Sequence, residues 1–193
     1  MEQIIAAVIG GILAAGTGWF FEGRREAAKL KQLAKFLTTG ICDDLQRSIN
    51  LYDKISEEWE KTKTVWLTTL NELRESRQTY QNNKEWVTVF ENAELRNHIF
   101  RYYLQSADRI NTLEYQQRRK DEISNRYDDL VRQIKFQDPS MSHGQALNTA
   151  TSYMEKEKQE YIGLDTSIPD SVQKLDQFKT TADKLLATLK KEL

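Results

Sequence analysis

Apolar residues fill the start of the chain and then thin into stripes. From Gln3 to Phe21 there is no charged side chain, and Gln3 and Thr17 are the only clearly polar ones. As a helix, such a stretch rises roughly 28 Å, close to the ~30 Å hydrocarbon thickness of a bilayer. The pattern then changes to apolar positions three and four apart: Leu30, Leu33, Leu37, Ile41, Leu45, Ile49, Tyr52, Ile55 and Trp59, then Trp66, Leu70, Leu73 and Tyr80. That spacing puts them on one side of a helix, with Lys63 and Arg77 at in-between seam positions. From Tyr52 onward the period approaches a heptad, as in a helix lying along a neighbour.

Four helices are expected after the opening stretch, over about 24–80, 92–136, 143–161 and 168–192. Within the first, "TTG" at Thr38–Gly40 and "KTKT" at Lys61–Thr64 are the candidate kinks or breaks. Asn82 and Asn83 in "QNNKEW" signal a turn, because their side chains compete for their own backbone groups. The second stripe runs Leu95, Ile99, Tyr103, Ile110, Leu113, Ile123, Tyr127, Leu130 and Ile134, and Pro139 closes it. Ser142 with Gln145 reads as a capping box for the third helix. Ser167, Pro169 and Asp170 read as the opening of the last, after the connection "GLDTSIPDS". No segment alternates strictly. The expected fold is all-α: one N-terminal transmembrane helix, then an elongated helical bundle built as a coiled-coil-like hairpin with two shorter C-terminal helices. The division is an anchor over 1–21 and a cytoplasmic bundle over 22–193.

Composition agrees with helices. Glycine (8) and proline (2) are scarce, and Lys+Arg 28 against Asp+Glu 29 leaves no global field to draw nucleic acid. The single cysteine, Cys42, excludes an internal disulfide framework.

The opening stretch has three readings: a cleaved signal, a core helix of a soluble domain, or a retained anchor. A signal needs a basic leader, and only Glu2 and the amino terminus precede the apolar run. The run also continues past "AAG" through Trp19, Phe20 and Phe21, whose rings suit the headgroup level. Arg24, Arg25 and Lys29 follow at once, with Lys31 and Lys35 behind them. Basic residues after a span are held on the cytoplasmic side, so the expectation is an inner-membrane protein with its N-terminus out and its body cytoplasmic. Lipid is then a partner, met by Trp19, Phe20, Phe21, Arg24, Arg25 and Lys29. The span is not deeply apolar: its Ile, Leu, Val and Phe side chains sum to about −2 to −5 kcal/mol before the glycines are counted. Ala6, Gly10, Ala14 and Gly18 recur every four residues, with Ala7, Gly11 and Ala15 one position on. Such a seam lets helix backbones approach closely, either in a homo-oligomer or against another span.

Little in the chain carries chemistry. "GGILAAGTG" lacks the Lys-Ser/Thr ending of a phosphate loop. His98 and His143 belong to no metal-binding spacing, and neither metal nor cofactor is expected. Cys42 is followed by Asp43 and Asp44, which disfavour a thiolate. The densest polar-aromatic stretch, "RYYLQSADRINTLEYQQRRKDE", offers Arg101, Tyr102, Arg109, Arg118 and Arg119 as a surface for a partner. Interspersed acids make nucleic acid a poor fit there. The leading expectation is therefore a non-enzymatic, single-pass protein acting as a scaffold, interaction or accessory subunit. The alternative is a membrane-perturbing effector of toxin or defence type, oligomerising through the small-residue face. An enzyme assembled from Arg101, Arg109 and Glu114 ranks third.

Overall fold

A computed structural model describes residues 2–191, with side chains from 24 to 191. Among the described residues all regular structure is helical: α1 (Glu2–Thr62), α2 (Leu67–Glu75), α3 (Gln78–Asn83), a 3-10 turn (Lys84–Val89), α4 (Ala93–Gln137), α5 (His143–Tyr153) and α6 (Glu155–Leu189). The apolar stripes become a core in which Leu37, Ile41, Leu45, Tyr52, Ile55, Leu70, Leu73, Ile99 and Ile110 are fully buried.

The helix expected over 24–80 breaks at "KTKT", one of its two candidate breaks, into two runs of opposite direction. Lys63 takes a left-handed backbone (φ 53) that ends α1. Thr62 helps by turning its hydroxyl onto the Glu58 carbonyl (2.8 Å). The chain then descends beside α1. Thr69 meets Glu58 (2.8 Å), Lys54 meets Glu72 (3.0 Å), Ser48 meets Ser76 (2.8 Å), and Thr79 meets Asp44 (2.9 Å). At Thr38–Gly40, by contrast, the helix is unbroken. Thr38 and Thr39 return their hydroxyls to the carbonyls of Ala34 (2.8 Å) and Lys35 (3.0 Å), and Gly40 faces Thr79 of α3.

Asn92 caps α4 by accepting from the amides of Glu94 (2.9 Å) and Leu95 (3.1 Å). α4 ascends parallel to α1, with Tyr102 level with Tyr52 and Gln117 level with Val65. α6 descends, so that Asp176 meets Ser56 (3.1 Å) and Arg119 meets Glu160 (2.8 Å). The result is an up-down-up-down four-helix bundle whose second member is the segmented run α2, α3 and the 3-10 turn. A long hairpin with two short helices packed on it is not what forms, because the Lys63 break folds the 67–89 run back onto α1.

The expected connection at 163–170 is also absent. α6 passes straight through it, with Pro169 inside the helix. Proline in a helix interior costs ~3 kcal/mol, since it removes a donor and crowds the carbonyl four residues back. Leu164, Ile168 and Val172 are all buried around it, and each gains about 1.5–3 kcal/mol by burial. Tertiary packing wins. The capping box at Ser142 and Gln145 does form, opening α5, and buried Met154 alone separates α5 from α6.

The two ends of the bundle differ. Past the α1–α2 turn, α4 and α6 continue and α5 closes on α4 through Val131, Ile134, Ala146 and Ala150. Toward the N-terminus, residues 24 to 32 of α1 are all exposed and Leu33 is the first side chain packed on the core. Among the described residues no helix is long and apolar enough to cross a membrane. Ala6, Ala7, Gly10, Gly11, Ala14, Ala15, Gly18, Trp19, Phe20 and Phe21 lie outside the residues whose side chains are described.

Candidate functional site: the outer face of α4 and the polar core beneath it

The five partner-surface residues expected on α4 fall into three environments. Successive helix positions differ by about 100°, so Arg101 and Tyr102 cannot share a face. Arg101 and Arg109 are exposed. Tyr102 is 2% exposed, and its hydroxyl lies 3.1 Å from that of Tyr52 across the core. It is a core residue, not a surface one. Arg118 folds back on Glu114 of its own helix (2.9 Å), and Arg119 grips Glu160 of α6 with two nitrogens (2.8 Å each). With Lys120 on Asp165 (2.5 Å) and Arg126 on Glu157 (2.9 Å), these cations join α4 to α6. That is structural work, and it leaves a smaller surface than the sequence suggests.

What stays open is a groove of about 530 Å³ between α4 and α6. Leu104, Gln105, Asp108 and Arg109 line it from α4, and Lys174, Gln177 and Phe178 from α6. Leu104 is 59% exposed, and Phe100, one turn earlier on the same side, is 55%. Phe178 is half-buried and reaches Tyr102 from the other helix, with ring centroids 6.4 Å apart.

Under this face lies a polar cluster that joins α1, α3 and α4. Arg77, 5% exposed, donates to the Tyr103 carbonyl and sits over the Tyr103 ring at 5.6 Å. Tyr80 stacks on the same ring, with the Tyr80 and Tyr103 centroids 4.0 Å apart. Asp44 accepts from the Thr79 hydroxyl (2.9 Å) and the Tyr80 amide (3.2 Å). Burial pushes the phenols of Tyr52, Tyr102 and Tyr103 above their ordinary range and pulls the Arg77 guanidinium down. Burial also raises Asp44, against the pull of its Thr79 and Tyr80 hydrogen bonds. Arg77 Nε and the Tyr103 hydroxyl have no hydrogen-bond partner among the described residues. Sequence reasoning placed Arg77 on the seam of the apolar stripe without assigning it a role. A cation on a core-facing line was the available signal.

The remaining candidates are quickly placed. Glu114, offered as an enzymatic acid, is held by Arg74 and Arg118, and those bonds keep its carboxyl below its usual range. Cys42 is buried, and burial is the main cause raising its thiol; Asp43 adds to it and Lys190 opposes. His98 lies 3.9 Å from Glu94 on the surface. Among the described residues no three His, Cys, Asp or Glu side chains converge for a metal. Arg24, Arg25 and Lys29 are exposed along α1. No protein-family model, curated protein or solved structure matches this chain.

Proposed function

We infer that the chain is a single-pass, membrane-anchored scaffold or accessory subunit, held in a bilayer by residues 3–21, whose bundle binds another protein on the cytoplasmic side. The observation that carries this reading is the continuity of α1. The helix bearing the apolar opening stretch is also a wall of the bundle. Between the two roles, residues 24 to 32 are exposed on every side. Their Ala, Glu, Lys, Leu and Arg content favours helix by intrinsic propensity. Nine such residues span about 14 Å and would stand the bundle off a membrane while Arg24, Arg25 and Lys29 meet anionic headgroups.

Native Cys42 is too buried to report sidedness, so the test uses Gln32→Cys, an exposed position, with Cys42→Ala. The protein should stay in the membrane pellet after carbonate extraction. Its thiol should resist an impermeant maleimide in intact cells and react once they are permeabilised. Release by carbonate, or labelling of intact cells, overturns the reading. The effector alternative draws on the Ala6, Gly10, Ala14, Gly18 series. Unchanged membrane potential on induced expression dismisses it.

A further inference from the structure

We propose that the groove between α4 and α6 receives an acidic amphipathic helix of a partner protein, with Leu104 and Phe178 in the groove and Phe100 one turn beyond it taking its apolar side chains, and Arg109 and Lys174 in the groove with Arg101 beyond it taking its carboxylates. The proposal rests on the scaffold reading and names the chemistry of its partner.

Charge decides the occupant. Along α4 and its neighbours, Arg74, Arg118, Arg119, Lys120 and Arg126 are each in an ion pair with Glu or Asp. Arg101, Arg109 and Lys174 are in none of the ion pairs among the described residues. Asp108 is the one carboxylate that lines the groove. A concave face in which the unclaimed Arg109 and Lys174 flank Leu104 and Phe178, with Arg101 exposed farther along α4, is complementary to a segment that alternates acids with apolar residues. The exposed apolar positions of α4 have helical spacing as well: Phe100 and Leu104 stand four apart, and the span from Phe100 to Arg109 is about 13.5 Å, enough for two to three turns of a docked helix.

Other anionic occupants fit less well. Nucleic acid is bound mainly through rows of phosphate contacts, and three cations with Asp108 among them make no such row. A lipid surface is out of reach under the scaffold reading. Tyr102 is level with Tyr52, and Tyr52 lies roughly 46 Å along α1 from Phe21.

The test places the photoreactive residue p-benzoylphenylalanine at Leu104 in the full chain, expressed in its own cells, and sequences the adducts. A second variant carries it at Tyr153, an exposed aromatic on α5. The expected adduct at position 104 is a peptide from another protein with Glu or Asp interleaved among Leu, Ile, Phe or Met at three- and four-residue spacing. Its yield should drop at least tenfold in the double variant Arg109→Glu, Lys174→Glu, with an unchanged thermal melt. A peptide from this same chain, a lipid or nucleic-acid adduct, a basic segment, or a yield indifferent to the charge reversal each overturns the proposal. No adduct at 104 with a protein adduct at 153 sinks the groove and spares the scaffold reading. No adduct at either position sinks both.

Discussion

Gly40 sits in mid-helix, where alanine is ordinarily better by about 1 kcal/mol. Here the substitution should go the other way. A Cβ built on Gly40 overlaps Cγ2 of Thr79, on the α3 segment that crosses α1 at this point. Thr79 cannot simply rotate, because its hydroxyl is spent on Asp44 (2.9 Å). Overpacking of this kind costs about 1–3 kcal/mol, and a lost hydrogen bond about 0.5–1.5 more. Set against the ~1 kcal/mol helix gain, Gly40→Ala should destabilise by roughly 0.5–3.5 kcal/mol, or about 1–14 °C in Tm for a chain of this size. The partner change is Thr79→Ser, which deletes Cγ2 and keeps the hydroxyl. In the Thr79→Ser background, Gly40→Ala should become neutral or stabilising. The assay is a double-mutant cycle by urea and thermal melts of the full chain in mild detergent, followed by circular dichroism. A higher Tm for Gly40→Ala in the wild-type background would refute the reasoning, as would a cycle with no coupling between the two positions.

Three further outcomes are expected of the same melts. Arg77→Met, which removes a buried charge while filling its space, should leave stability within about 1 kcal/mol of wild type or raise it, whereas Arg77→Ala should cost about 2–4 kcal/mol; equal losses would show that the charge itself is needed. Glu114 is held below its usual range by Arg74 and Arg118, so its stabilisation is complete above its unfolded pKa and lost as pH falls through its lower folded one. Glu114→Gln should therefore lower the urea midpoint at pH 7, with the deficit closing as the medium is acidified below the ordinary glutamate value of 4.5; a deficit constant with pH would assign the loss to packing. Pro169→Ala should raise stability by about 1–3 kcal/mol, because the helix already runs through the position and regains a donor; a fall in Tm would mean the ring's own packing outweighs the bond.

Much of the helical content was legible because the apolar stripes are long and regular. Leu37, Ile41, Leu45 and Ile49 are buried at the three- and four-residue intervals that announce them. Local chemistry also spoke clearly at Ser142 with Gln145, where short side chains cap their own helix. Topology was harder to read. "TTG" and "KTKT" look equally disruptive, yet Thr38 and Thr39 bond back within the helix while Lys63 turns left-handed. Only the return of 67–89 onto α1 distinguishes them, and that is a long-range fact. Pro169 misled for the same reason: a strong local stop signal lost to the burial of Leu164 and Ile168. On α4 the basic stretch looked like one surface because sequence cannot show Glu160, Asp165 and Glu157 arriving from α6 to claim Arg119, Lys120 and Arg126.

The exposed stretch from 24 to 32 makes a prediction separate from the bundle's stability. If α1 is a continuous rod there, each residue inserted after Ala28 adds 1.5 Å of height, so seven alanines should lift the body about 10.5 Å. A flexible tether grows only as the square root of its length. Going from nine to sixteen residues, it would lengthen by roughly 5–6 Å. The two cases separate by fluorescence energy transfer from a donor on Arg47→Cys, an exposed position in the body, with Cys42→Ala, to acceptors in the headgroups of a nanodisc. Arg47 lies about 39 Å along the helix from Phe21, where transfer to common dyes changes steeply with distance. The unfolding free energy of the body from urea melts should stay within about 0.5 kcal/mol, since packing begins only at Leu33. The seven-residue insertion also returns the helix to within about 20° of its original phase, so orientation is kept while height changes. A lift near the tether value would refute the rod. With it would go the argument that the groove on α4 is held clear of the lipid surface.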